Sequence, residues 1–302
     1  MKKYALILGL LMPMVAYADC DSNGKCVWDC SPDDKTNTCT ATFENGTLSI
    51  SGTEMKNDFG HYIDTDTYNI TSAPWNDEAG HLKQITNVVI GSEMKNIGGS
   101  FLMGATNLEH ITIPENIESM GNNAFYHTGL KSVDWPASLK TIRAGTFQYT
   151  HLTDFSFLDG IETIGDASFN GVFWYADSPI IFVVPDSVKT IGQNAFTGNN
   201  MYLQNIILGE NVTSIDTEAF DSSLQTIYCT GDIDVCKTNV GEAFADKVKQ
   251  ATAKKINGVT YVYDKNGNLI TTSGHRKERR IYTIEEANAV AGDKNRVSIK
   301  YR

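Results

Sequence analysis

The sequence predicts a repeat solenoid of about seven coils, mainly β with short irregular or helical turns, followed by a small α+β C-terminal appendage. Three observations carry that expectation. A six-position apolar template recurs through the middle of the chain with starts 21 to 27 residues apart, and such a fixed period marks stacked supersecondary units. A phenylalanine closes most copies. The 302 residues are 41% hydrophobic and 20% charged, too apolar for a disordered chain and too polar for a multi-span membrane protein. The expected organisation is a signal peptide over 1–18, a cysteine-rich cap with a β-hairpin over 19–80, the repeat array over 81–244 and a basic region over 245–302.

At the N-terminus, Lys2 and Lys3 precede an apolar run from Tyr4 to Val15, and Ala16-Tyr17-Ala18 supplies small residues where a signal peptidase reads. Cleavage is expected before Asp19. The run is shorter than the ~20 residues that a membrane span needs. The protein is therefore expected to be exported and secreted, periplasmic or cell-surface. All six cysteines (Cys20, Cys26, Cys30, Cys39, Cys229, Cys236) follow the cleavage point, and an even number in an oxidising compartment suggests disulfides. The first four should form two local bridges of undetermined connectivity. Their spacing lacks the paired C-x-x-C knuckles of zinc sites, and the Asp19-to-Gly24 start puts Cys30 where a calcium loop needs its bidentate Glu. No metal or other cofactor is expected.

The template has apolar residues at offsets 0, 3, 5, 9, 12 and 17. Copies start at Ile85, Leu108, Leu130, Leu152, Pro179, Leu203 and Leu224; one reads Leu108, Ile111, Ile113, Ile117, Met120, Phe125. Of 42 template positions 40 are apolar, against about 17 expected from composition. The period lies in the leucine-rich repeat range. Offsets 3 and 5 point the same way from a short strand, offsets 9 and 12 return along the opposite wall, and the Phe plugs the coil. Gly98, Gly121, Gly165 and Gly192 at offset 13 suit a turn, and Pro114, Pro136 and Pro185 at offset 6 end the first strand. In the degenerate seventh copy the plug is Gly241, with Cys229 and Cys236 on facing walls, where a bridge would staple a coil without its Phe.

Segments such as Ile111-Thr-Ile-Pro-Glu-Asn-Ile-Glu-Ser-Met-Gly-Asn-Asn-Ala-Phe125 and Val183-Val-Pro-Asp-Ser-Val-Lys-Thr-Ile-Gly-Gln-Asn-Ala-Phe196 resemble the bacterial BspA-type, or treponemal-type, leucine-rich repeat. Gly46-Thr-Leu-Ser-Ile-Ser-Gly-Thr53 and Ala73-Pro-Trp75 resemble the strand pair and Pro-Trp element that commonly precede these arrays. The resemblance covers roughly residues 40 to 244. It departs from the family where a Cys often follows the Phe; those positions hold Tyr, Gln, Asn, Thr and Asp. The resemblance implies an adhesin or surface interaction module.

The formal net charge of −11 is an average over unlike parts. Residues 245–302 carry 13 Lys+Arg against 6 Asp+Glu, and the rest carries 12 against 30. Acidity of the body argues against nucleic acid as a partner. Residues 242–255 read as an amphipathic helix, Gly258 to Thr272 as a hairpin around Asn266-Gly267, Thr283 to Ala291 as a capped helix and Arg296 to Arg302 as a strand. The basic tail either docks on the acidic array or on an anionic surface such as a cell envelope, or is a solvated cap.

No H-x-x-H, H-E-x-x-H, Gly-x-Ser-x-Gly or phosphate loop is present, and the six histidines and the loose pair Asp64/Asp66 assemble no catalytic set. A non-enzymatic protein is expected, binding a protein or glycan on a host or neighbouring cell surface. Two places are candidates. The insertion Asn170 to Ser178 carries Phe173, Trp174 and Tyr175, aromatic anchors for a ligand unless the loop folds over the outward Ile181, Val183 and Ile207. The row after the plugs holds Tyr126, His127, Tyr149 and His151, which are otherwise ordinary turn residues. An envelope spacer held by the tail, and a secreted hydrolase, are the competing readings.

Overall fold

In the computed structural model the residues described are 19–273, apart from 36, 61, 64–69, 72, 78, 177, 199–201 and 257–258. The expected signal peptide, Asp64/Asp66, and the basic linker, helix and strand beyond 274 lie outside them. Among the described residues no helix is long and apolar enough to cross a membrane.

The cap is an antiparallel sheet of β1 (Asp19–Cys20), β2 (Cys26–Asp29), β3 (Cys39–Glu44) and β4 (Thr47–Gly52). Alternation of Cys39, Ala41 and Phe43 inward with polar residues outward sets the register of β3. A short pair, β5 (Tyr62–Ile63) with β6 (Ile70–Thr71), follows, and then one turn of helix, α1 (His81–Gln84). Trp75 is fully buried: its indole N–H donates to the Phe101 carbonyl at 3.0 Å, and its rings meet Trp28, Phe59 and Phe101 edge-on. The Pro-Trp element thus plugs the first coil from the cap side. β4 pairs in parallel with the first array strand, β7 (Asn87–Ile90), so the cap completes the edge that would otherwise stand open.

Two walls of parallel pairs then stack. On the first wall β9 (His110–Thr112) pairs with β11 (Ser132–Asp134), and β14 (Ile180–Val183), β16 (Leu203–Leu208) and β18 (Thr226–Cys229) run side by side. On the second, β8 (Asn96–Ile97) pairs with β10 (Ser119–Met120), and β12 (Thr141–Ile142), β13 (Thr163–Ile164), β15 (Thr190–Ile191) and β17 (Ser214–Ile215) form one ladder. Between the walls the plugs stack: Phe125, Phe147, Phe169, Phe196 and Phe220 have successive centroids 5.8, 5.7, 5.6 and 5.9 Å apart, with planes 13° to 25° from parallel. Each offset stack adds about 0.5–1.5 kcal/mol beyond burial.

Four local expectations are corrected. The offset-13 glycines do not have left-handed φ; instead a Cβ on Gly121 would overlap Gly99 and one on Gly165 would press on the Ile142 carbonyl. Their role is close approach of neighbouring coils. The fourth copy forms no first-wall strand but a 3-10 turn, Ser156–Leu158, because Phe155 turns toward Phe169, Phe173 and Phe182. In the last coil the second wall is replaced by α2 (Ile233–Val240), whose cap is Asp232, accepting the N–H of Asp234 and Val235. Cys236 lies on that helix, and the plug is not missing: Phe244, three residues past Gly241, meets Phe220 edge-on at 5.9 Å.

The helix expected over 242–255 is not formed. A 3-10 turn, Ala245–Lys247, leads into β19 (Val248–Ile256), which pairs in parallel with β18 and then antiparallel with β20 (Val259–Asp264). Phe244, Val248 and Ala251 are spaced like a helical stripe, but the open edge of β18 offers a row of backbone partners that outweighs local propensity. β21 (Leu269–Ser273) completes the hairpin expected around Asn266-Gly267, with Asp264 accepting the N–H of Asn266 and Asn268 at 2.8 Å. The sheet therefore continues past residue 245, and after that 3-10 turn the described C-terminal part holds strands and no α-helix.

Candidate functional site

The six cysteines pair as Cys20–Cys26, Cys30–Cys39 and Cys229–Cys236. The first two staple the cap and the third ties the first wall to α2. Sulfurs of Cys20 and Cys26 lie near a His81 nitrogen, within 4.8 Å of one another, but while bridged they are not the thiolates that a metal takes.

The outward apolar patch is covered from an unexpected side. Ile207, Ala251 and Val262 form a second small core, against which Ile181, Val183, Tyr228, Ala253 and Ile270 pack. The C-terminal hairpin, rather than the insertion, lies over the first wall of the last coils. Burying this face is what isolated hairpins need for stability.

The insertion instead divides its aromatics. Its 3-10 turn, Val172–Tyr175, drives Phe173 inward, where it is 1% exposed and packs on Phe155 and Phe182 in the space the fourth coil's absent strand leaves. Phe173 is therefore core and is withdrawn as a ligand contact. Of Tyr175 only the backbone is described. Trp174 faces out at 61% exposure, the most exposed large apolar side chain among the described residues.

Trp174 is not isolated. Its ring centroid is 6.4 Å from that of Tyr149, Tyr149 is 5.7 Å from Tyr126 in an edge-on pair, and Tyr126 is 6.3 Å from His127. The two places that sequence spacing separates are thus one row, crossing three successive coils. Burial raises the Tyr126 phenol above its ordinary range, and nearby Tyr149 adds to this. His151 is held below the ordinary imidazole value by burial first, then by His127 and Lys131, so the row's margin disfavours added positive charge.

Backbone geometry sets the row. The residue two past Leu102, Phe125, Phe147, Phe169 and Phe196 has left-handed φ: Gly104 (88°), His127 (53°), Tyr149 (57°), Gly171 (70°), Gly198 (71°). An inter-coil ladder imposes it, with N–H donated from His127 to the Gln148 carbonyl at 2.8 Å, from Tyr149 to Asn170 at 2.9 Å and from Gly171 to Thr197 at 3.0 Å. Thr128 and Thr150 hydroxyls close the same turns by donating to the carbonyls of Phe125 and Phe147. Glycine is the unstrained choice here, and a bulky residue at positive φ costs roughly 1–3 kcal/mol. The chain nevertheless places His127 and Tyr149 there. The Tyr149 ring fills the room in which Gly171 would carry a Cβ.

One further cluster has the residue types of hydrolysis. His110 Nδ1 is 2.9 Å from Ser132 Oγ and its Nε2 is 3.2 Å from Asp134 Oδ2, across β9 and β11. The histidine and aspartate are 49% and 66% exposed. Such a solvated face lacks the enclosure that strengthens catalytic electrostatics.

A family model described as the BspA type leucine-rich repeat region, in six copies, matches residues 77–174 and 170–264. No curated protein matches the chain. Among solved structures it is similar to a leucine-rich repeat protein from Eubacterium ventriosum ATCC 27560, at 20% identity and TM-score 0.37, covering 80% of this chain and 49% of that one. A leucine-rich repeat protein from Bacteroides ovatus ATCC 8483 is 19% identical, with TM-score 0.36, over 67% of this chain and 56% of that one. A leucine rich cell surface protein from Faecalibacterium prausnitzii A2-165 is 18% identical, with TM-score 0.32, over 78% of this chain and 59% of that one. The chain spans about half the length of the first of these.

Proposed function

The chain belongs to the BspA-type leucine-rich repeat family, and from that membership we propose that it is an exported, non-enzymatic recognition protein that binds a protein or glycan on a host or neighbouring cell surface. One observation carries the assignment of the contact surface: Tyr126, Tyr149 and Trp174 form a continuous aromatic row over three coils. Rigid aromatics with a polar tip bury large area at little conformational cost, on protein anchors and sugar faces alike. Backbone strain at Tyr149 supports the same reading, since a strained bulky residue where glycine would serve points to a role beyond folding.

Export is supported by the charged, apolar and small-residue pattern of residues 1–18 and by the pairing of all six cysteines. The test is binding of the purified protein to an array of immobilised matrix proteins and glycans. Trp174→Ala should lose at least ~tenfold in signal, the cost of truncating a central aromatic anchor. Turnover of an array substrate that is abolished by Asp134→Asn would contradict the reading and revive the hydrolase.

A further inference from the structure

The N-terminal cap holds a second group of chemically active side chains, unconnected with the aromatic row. Cys26 is fully buried on β2 and bridged to Cys20, which is exposed on β1. His81, only 9% exposed, directs Nε2 at Cys26 Sγ from 3.4 Å. Its Nδ1 is 2.7 Å from Asp77 Oδ2. A carboxylate only accepts, so Nδ1 carries the proton and donates it there, leaving Nε2 as the free basic nitrogen that faces the sulfur. The other carboxylate oxygen accepts the His81 backbone N–H at 3.3 Å, which fixes the ring's orientation. Trp28 and Phe43 wall the imidazole, with centroids 5.6 and 5.0 Å away.

This is a sulfur–imidazole–carboxylate line of the kind that stabilises a thiolate, aimed at one end of a disulfide whose other end is open to solvent. The remaining bridges differ: Cys30, Cys39, Cys229 and Cys236 are all buried, at 1%, 1%, 0% and 5% exposure. We propose that Cys20–Cys26 is a thiol-exchange site that captures a small-molecule thiol on Cys20.

The step is balanced by the groups present and the incoming thiol. The thiol's sulfur attacks Cys20 Sγ, the accessible end, and forms a new S–S bond there. The Cys20–Cys26 bond breaks, its electron pair stays on Cys26, and the proton given up by the thiol ends on His81 Nε2. The product is a mixed disulfide on Cys20 beside a Cys26 thiolate paired with an imidazolium, which Asp77 holds in place. A stabilised leaving thiolate departs faster, and reversal regenerates the bridge and frees the thiol.

Reduced glutathione is the probe, used with the full chain and read by mass-mapped differential alkylation over time. Cys20 should become glutathionylated at least ~tenfold faster than any residue of the other bridges. His81→Gln should slow that reaction about tenfold, because without the imidazolium beside it the Cys26 thiolate is a poorer leaving group. A second measurement is independent of that variant's folding. In Cys20→Ser, Cys26 should show thiolate absorbance at 240 nm at pH 7, and Asp77→Asn in that background should diminish it. The proposal is overturned if folded His81→Gln reacts at the wild-type rate, or if Cys26 in Cys20→Ser titrates near the ordinary thiol value of about 8.5.

Discussion

Tyr149 and Gly171 occupy equivalent turns on neighbouring coils, with φ of 57° and 70°, yet only glycine adopts that backbone without strain. What the tyrosine gains is contact with Tyr126 on one side and Trp174 on the other. Alignment of the repeats places Tyr126, His127, Tyr149 and His151 on adjacent turns, and this much is legible in the sequence. The link to Trp174 is not, because which of three consecutive aromatics points inward depends on the space left where Phe155 turns in. His151 supplies a pH signature. Its folded value lies below the ordinary 6.5, so the folded protein favours the neutral ring. The associated stability is fully present above pH 6.5 and is lost as pH falls from there through the depressed folded value. His151→Gln should flatten the fall of the melting temperature over that window, and an unchanged slope would show that the protonation cost lies elsewhere.

At the scale of elements, the phenylalanine ladder is the main unit of cohesion. Phe147 is fully buried, stacks on Phe125 and Phe169, and also touches Trp135 and Phe157. Phe147→Ala should destabilise the protein by about 3–5 kcal/mol, measured by urea unfolding. A loss below ~1 kcal/mol would mean that the coils are held chiefly by their backbone ladders. Five ladder plugs can be read from the period of the template. The sixth, Phe244, is hidden because the coil that contains α2 is longer and sets its plug three positions past the template position at Gly241. Helical spacing of Phe244, Val248 and Ala251 misleads for a related reason: periodicity reports which residues are buried, while the free edge of β18 decides the backbone that buries them.

For the molecule as a whole, the charge division that composition shows between body and tail does not coincide with a break in the fold, since β18, β19 and β20 form a continuous run of paired strands. The C-terminal hairpin closes the first wall of the last coils, with Val262 fully buried against Ile207 and Ala251. Val262→Asp buries an unpaired charge there. The hairpin should detach and uncover Ile181, Val183 and Ile207, raising binding of a hydrophobic dye while the coil stack keeps its near-ultraviolet signal. Loss of that signal together with the hairpin would show that the two unfold as one unit. With this face covered, the aromatic row remains exposed at Trp174 and is the surface on which the proposed recognition role rests. The most direct test is the affinity of the strongest array ligand for Tyr126→Ala, Tyr149→Ala and Trp174→Ala, beside a control on the first wall, Val89→Ser, whose side chain is also exposed. The account predicts a loss of at least ~tenfold for each row variant and none for the control; wild-type affinity in all three row variants, or loss confined to Val89→Ser, would contradict it.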